Sequence, residues 1–566
     1  MLYFGNEWER RHFRYACETL LNHVNPYTGL AWKDDPAIAF LEFYNEQCSG
    51  FGNLVENAKS IPGGWELVQR RWREWLVAKY GDRVPEALRP ELDGKPLSEA
   101  PVPPYWRDRD TPLANEFGLF RVYIAKDGAD WCERLVRGLG YRGLTTNYNA
   151  FKRFADQCAR WQAIQVIDHH SYYQHPRGGW GAPGCTVEQH SSLDDALGVW
   201  RGVAAMRFAG RPLIVSEFNY SYWNPYQHEG MLFPAYSAFQ NFASLQIHSD
   251  ISFEFTGKAS PLHTFGVGNS PVIRANEFFS NCLFLRGDVT PARHLVEYVM
   301  PERLLGQRGM THVTMDGRQS RVSLLTGFAM AFPWAPLAPR ATRGPKADVQ
   351  MLPDGTADVE EADWFFNVLE NPNGTFDLTA FVGSLRQRGI LPQDNATDPD
   401  NEVFQSETGE LTLRAKERVA KVVTARSEAV TLPEARRETL GRLTVEDSSV
   451  HATVGLCSVT DEPVATSPRL VLVYATRCVN SHTVFSHDGR RKIAEGRLPV
   501  LLRRGHLRAR FRPAAEPGRY ALYALDLQGV RQERVPVTVD GDALVIDLDT
   551  GRLKQGPATF FELVRE

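Results

Sequence analysis

The sequence predicts an α/β half followed by an all-β half, and three observations carry that prediction. For roughly the first 280 residues, amphipathic segments at helical spacing alternate with short, nearly continuous apolar runs. That is the texture of parallel strands covered on both faces. Beyond about residue 305 the chain changes to short alternating segments divided by turn residues, the pattern of antiparallel sandwiches. At 566 residues the chain is also too long for one domain. The expected organisation is an α/β unit over 1–304, a β-rich module with long loops over 305–440, and a C-terminal antiparallel β-sandwich over 441–566.

Composition narrows the function classes. With 43% hydrophobic and 23% charged residues and a net charge of −4, there is no basic field to attract nucleic acid. No apolar run reaches the ~20 residues of a membrane helix. The opening MLYFGNEWERRHF lacks the apolar core of a signal peptide, and neither compartment nor oligomeric state is readable. The eight cysteines show no CxxC and no metal spacing, so they read as small buried hydrophobes.

In chain order, WERRHFRYACETLLNHV (8–24) reads as an amphipathic helix, and NPYTG as a turn opened by Asn-Pro. PAIAFLEFY (36–44) is a buried strand, GWELVQRRWREWLVAKY (64–80) a helix, and the Pro-rich 81–115 a loop. DWCERLVRGLGY (130–141) is a helix and RGLTTNY (142–148) a strand, followed by the helix FKRFADQCARW (151–161) and the strand AIQVIDHHSYY (163–173). SLDDALGVWRGVAAMRF (192–208) is a helix with Ser192 as N-cap, and RPLIVSEFNY (211–220) a strand. LFPAYSAFQNFASLQ (232–246) is a helix, SDISFEF (249–255) a strand and PVIRANEFFSNCLFLR (271–286) a helix. Segments such as THVTMDG, RVSLLTG, LTLRAK, RLVLVYA and ALVIDL then supply the β-rich part, with a long loop at 332–348.

Two of the apolar strands run out into glutamate. AFLEFYNE ends in Glu46 and RPLIVSE in Glu217, 171 residues later. Active sites of parallel sheets and barrels gather at the carboxyl ends of strands, and a pair of carboxyl groups is what glycoside hydrolysis needs. Asp168, His170 and Tyr172 alternate, so a continuing strand places them on one face.

An Asn-Glu pair after one strand and a Glu closing a later one, with two strands between, resembles the retaining glycoside hydrolases of the (β/α)8 clan, which includes cellulases and mannanases. The stretches NPYTGLAWKDDPAIAFLEFYNE and EFFSNCLFLRGDVTPA are similar to that clan as well. The resemblance covers residues 1 to about 300. It implies a TIM barrel whose strands 4–8 are present, Glu46 as acid/base, Glu217 as nucleophile and Asn45 as partner of a sugar 2-hydroxyl. It also implies His170 and Tyr172 in the cleft, with Asn147 contacting a sugar and Trp223 stacking on one. Substrate would be a carbohydrate, and no cofactor is implied. Only 37 residues precede Ile38, too few for three strand–helix units of a barrel of ~250 residues. The expectation is therefore an incomplete barrel in a fragment of a longer protein.

Rival carboxylates are Glu42, which reads as a buried paired residue, Glu229 in a loop and Glu254 on the expected last strand. The irregular spacing of His169, His170 and His175, without HExxH, predicts no metal. No nucleophile elbow or phosphate loop occurs. A non-catalytic carbohydrate-binding protein built on a decayed barrel is the alternative.

Overall fold

The computed structural model describes residues 1–46, 58–103, 111–149, 154–178, 183–221, 223–249, 260–266, 268–302, 305, 317–352, 365–367 and 376–566. Five parallel strands form its first unit: β1 (Phe40–Glu42), β2 (Leu144–Thr146), β3 (Ile167–Tyr173), β4 (Leu213–Tyr220) and β5 (Ser244–Ile247). β1 pairs with β2, and β3, β4 and β5 pair in turn. A parallel bridge, Thr146 to Val166, joins the two sets. The strands thus lie side by side in chain order. Parallel neighbours need crossover connections, and helices Gly64–Tyr80, Pro112–Gly138, Phe154–Ala163, Gly198–Ala204 and Leu232–Phe239 provide them.

Local chemistry explains where the elements depart from expectation. Pro112 opens the 27-residue helix Pro112–Gly138 inside the stretch read as loop. Proline suits the first helical position, where its missing N–H goes unused, and the Thr111 side chain accepts from the Ala114 N–H as cap. The helix expected over 192–208 begins only at Gly198, because Ala196 and Leu197 are left-handed (φ 53° and 61°). Ser192 does not cap it; its N–H and hydroxyl donate to Glu229. The helix from Leu232 stops at Phe239, and Asn241 follows with φ 55°, a conformation asparagine tolerates at helix ends. The next residues form β5, so the fifth strand precedes SDISFEF. Glu254 and most of that segment lie outside the described residues.

A second sheet corrects the antiparallel expectation for the middle of the chain. β6 (Leu295–Val299), β7 (Gly327–Ala331), β8 (Val349–Leu352) and β9 (Phe365–Asn367) pair in the order β7-β6-β8-β9, all parallel. β7 and β8 are buried at every position, which leaves no alternation to read. The sheet starts before residue 304. RVSLLTG is largely a 3₁₀ helix, Gln319–Leu324, and most of THVTMDG lies outside the described residues.

From Val403 the described strands are antiparallel, in sheets of nine and five strands and two two-stranded sheets. The larger sheet is covered on both faces. On Ala452–Ser458 and Arg469–Ala475, Val454, Leu456, Leu470, Leu472 and Tyr474 point into the core shared with the smaller sheet. Cys457, Val473 and Ala475 join the core of the α/β part. A period of two therefore serves two hydrophobic cores. Among the described residues no helix is long and apolar enough to cross a membrane.

Candidate active site at the carboxyl ends of the parallel strands

The carboxyl ends of the five strands bring together side chains from each of them. After β1 the backbone turns sharply, and Glu46 has φ 52°, an uncommon conformation for a residue with a Cβ. Asn149, beyond β2, holds it there. The Glu46 N–H donates to Asn149 Oδ1 at 2.8 Å. The Asn149 amide donates to Asn45 Oδ1 at 3.3 Å and to Glu42. Behind Asn149, Tyr148 is also left-handed (φ 67°). Its carbonyl and that of Asp168 both accept from the buried Arg160 guanidinium, which ties the end of β2 to β3. Strained backbone of this kind persists where the surroundings over-determine it.

Glu217 comes from β4. Its Oε2 accepts from the Tyr172 hydroxyl and lies 3.3 Å from His170 Nδ1 and 3.5 Å from His248 Nδ1. The same His170 nitrogen is 3.1 Å from Glu46 Oε1. One oxygen of each glutamate and this ring lie within 4.8 Å of one another. Glu46 is 53% exposed at its side chain and Glu217 20%. One carboxyl group therefore stands at the mouth and the other deeper.

Ser216 and Glu217 are neighbours in sequence, yet both reach His170: Ser216 Oγ is 3.1 Å from Nε2. In a regular strand adjacent side chains point to opposite faces. Here the register slips between Asp168 and His170 and again between Val215 and Phe218, as bulges near active sites do. Ser216 gives its N–H and its hydroxyl hydrogen to Asp168, at 3.1 and 2.7 Å. Its oxygen is then left to accept from Nε2, and the chain is satisfied when both ring nitrogens donate.

Four carboxyl groups share this small volume. Glu42 is exposed along part of its side chain, but its carboxyl end is crowded. Desolvation first, then the charges of Asp168, Glu217 and Glu46, push it up to about 8. Asp168 is raised by burial, against the hydrogen bonds from Ser216 and the nearby His170 and Arg160. Aromatic rings close one side: Tyr172 packs on Phe265 at 4.6 Å and edge-on to His248 at 5.5 Å.

Of the residues the sequence singled out, Glu46, Glu217, His170 and Tyr172 converge, and Asn45 stands beside them. Two do not take part. Asn147 is fully buried, and its amide donates to the Tyr3 hydroxyl. Trp223 is fully buried under a hairpin of the sandwich, with Lys492 4.8 Å from its ring, so it has no face to offer a sugar. The sequence pattern does not single out Asn149, Ser216 and His248. Asn149 lies two residues beyond the asparagine chosen, where the chain has left the strand. His248 directly follows a strand whose apolar residues read as the end of a helix. A cation is chemically compatible with the Glu46, His170 and Glu217 atoms; a second trio, His228, Glu229 and His451, lies elsewhere.

No family model and no curated protein matches the sequence. Among solved structures, the chain is similar to a rhamnosidase from Novosphingobium sp. PP1Y (12% identity, TM-score 0.31, covering 88% of this chain and 43% of that one). It is similar to an endo-β-1,4-mannanase from Thermotoga petrophila (11%, 0.29, 52% and 56%). A third is a β-galactosidase from the psychrophilic Marinomonas ef1 (10%, 0.38, 100% and 84%). The chain spans less than two thirds of the rhamnosidase and mannanase chains. At such scores the likeness decides nothing about chemistry, which rests on the side chains themselves.

Proposed function

We propose that this chain is a retaining glycoside hydrolase that cleaves β-glycosidic bonds of a polysaccharide or oligosaccharide, with Glu217 as nucleophile and Glu46 as acid/base. In this reading β1–β5 are five consecutive strands of a (β/α)8 wall. One observation carries it: carboxylates 171 residues apart in sequence converge within 4.8 Å around a shared histidine. Retaining enzymes hold their carboxyl groups about 5–5.5 Å apart, whereas inverting enzymes leave room for a water at about 6.5–9.5 Å.

The chemistry follows from the two environments. Glu217, deeper and oriented by the Tyr172 hydroxyl, attacks the anomeric carbon. Glu46, at the mouth, protonates the departing glycosidic oxygen. The C–O bond to the leaving sugar breaks as the bond to Glu217 forms. Glu46 then takes a proton from water, the resulting hydroxide displaces Glu217 from the anomeric carbon, and configuration is retained. His170, between both carboxylates, offsets their mutual repulsion and fixes their spacing. Burial and the crowd of acids raise the Glu42 and Asp168 carboxyls, so this cluster holds a proton near neutral pH.

The test is a panel of aryl β-glycosides. Glu217→Ala is expected to lose turnover by on the order of 10⁴-fold or more while still binding sugar. Added azide should restore product formation by occupying the space vacated by the carboxylate. Turnover by Glu217→Ala within tenfold of the parent would overturn the nucleophile assignment. Sugar binding without turnover in the parent would favour the non-catalytic alternative.

A further inference from the structure

Away from the cleft, a loop of the α/β part and a strand of the sandwich bring a second set of ligating side chains together. His228 and Glu229 lie in the helical turn Gln227–Met231 after β4, and His451 immediately precedes the strand Ala452–Ser458. His228 Nε2 and His451 Nδ1 face each other at 2.5 Å. His451 Nε2 is 4.0 Å from Glu229 Oε1, and a ligand atom from each of the three lies within 4.8 Å of the others. His228 and Glu229 are fully buried.

The carboxylate is held but not neutralised. Glu229 Oε2 accepts from the N–H and hydroxyl of Ser192, at 2.7 and 2.6 Å. Among the described residues Oε1 accepts a hydrogen bond from the Ser191 hydroxyl alone, at 2.6 Å. His451 Nε2, 4.0 Å from that oxygen, has no hydrogen-bond partner among the described residues. The nearby Arg418 is engaged with Asp194 at 2.6 Å. The Thr453 hydroxyl, bonded to the His228 carbonyl at 2.7 Å, fixes the loop against the sandwich.

We propose that His228, Glu229 and His451 bind a divalent transition-metal ion of the zinc class, pinning the loop after β4 to the β-sandwich. Two imidazoles and a carboxylate are a donor set zinc accepts, with water at the fourth position. Ligand atoms about 2.0–2.1 Å from a tetrahedral ion stand roughly 3.3 Å apart, so the facing nitrogens need spread by less than ~1 Å. Ser191 and Ser192 hold the carboxylate as outer partners of metal ligands do. The ion takes the place of the proton that one of the two facing nitrogens must otherwise carry.

The test uses the whole chain, freed of metal with a chelator and titrated with cobalt(II), then zinc(II). The expected result is one equivalent of cobalt with the visible absorption of a low-symmetry site, displaced by zinc, and a rise in Tm on zinc addition. His451→Gln and His228→Gln should each weaken cobalt binding by on the order of 100-fold or more and abolish the zinc-dependent rise in Tm. Both are compared with the metal-free parent for folding. Glu217→Gln should leave the equivalent in place, since the cleft trio is separate. The proposal is overturned if the parent takes up no cobalt, if both histidine variants bind it as the parent does, or if Glu217→Gln loses it.

Discussion

Asn149 is the residue on which the placement of Glu46 turns. It accepts the Glu46 N–H and donates to Asn45 and Glu42, so truncation removes the side-chain acceptor that fixes this left-handed backbone. Misplacing a catalytic group by about 1 Å can cost ~10²-fold in rate. Asn149→Ala is therefore expected to lower kcat by about that factor, with KM for a small aryl glycoside nearly unchanged; steady-state kinetics would show it. Glu42 gives a prediction in pH. Its carboxyl is raised from 4.5 to about 8 in the fold, so between those values the native state binds the proton that the unfolded chain has lost. Stability then falls as pH rises through this window. Glutamine cannot ionise, so the stability of Glu42→Gln relative to the parent should climb from pH 4.5 to 8 and level off above. Urea midpoints across pH 4–9 would reveal it, and a pH-independent difference would refute the shifted carboxyl. At this scale the sequence was legible where an apolar run leads straight into a carboxylate, as for Glu217 on β4. It was opaque where a bulge or a left-handed turn re-aims a side chain, as for Ser216 and Asn149. Neither irregularity leaves a mark on an apolar pattern.

Elements were legible in proportion to how completely one face is buried. The helix Gly64–Tyr80 matches its expected range, because one apolar stripe repeats at helical spacing. The parallel strands β7 and β8 do not read as parallel, since a fully buried run carries no sign of its partner's direction. Packing between elements is harder still to foresee. Gly455 lies mid-strand in the nine-stranded sheet, where glycine is otherwise unfavourable. A Cβ there would stand 2.6 Å from the Phe279 ring and 3.1 Å from Ala429 Cβ. The missing side chain is thus the socket into which the helix Pro271–Phe279 inserts its last ring. Gly455→Ala is expected to destabilise the protein by about 1–3 kcal/mol, despite the better strand propensity of alanine. Phe279→Leu in the same chain should recover part of the loss. Chemical denaturation of the four-membered cycle measures the coupling, and additive effects would rule out the socket.

Across the whole molecule, the double-faced sheet makes separate unfolding of the two halves costly. The core of the α/β part runs on into Phe404, Leu413, Ala429, Cys457 and Val473 of the sandwich, and polar ties cross the same seam. Arg286 donates to the Ser458 carbonyl at 2.6 Å, Ser427 donates to Asp288 at 2.6 Å, and the Thr290 N–H donates to Glu410 at 2.7 Å. Losing either half would bare the other's apolar face, so the division into helical and β segments visible in the sequence is not a division into independent folding units. All 13 tryptophans precede residue 365, so tryptophan fluorescence is weighted by the α/β part, with Trp223 under the sandwich hairpin the exception, whereas far-UV circular dichroism is weighted by the sandwich strands. The two signals should change at the same denaturant concentration, the mark of one cooperative transition. Val473→Ala removes two methyl groups from the shared core, far in sequence from any tryptophan. It is expected to cost about 2 kcal/mol and to lower the fluorescence and dichroism midpoints equally. If the dichroism midpoint falls while fluorescence keeps its own, the seam does not couple the halves.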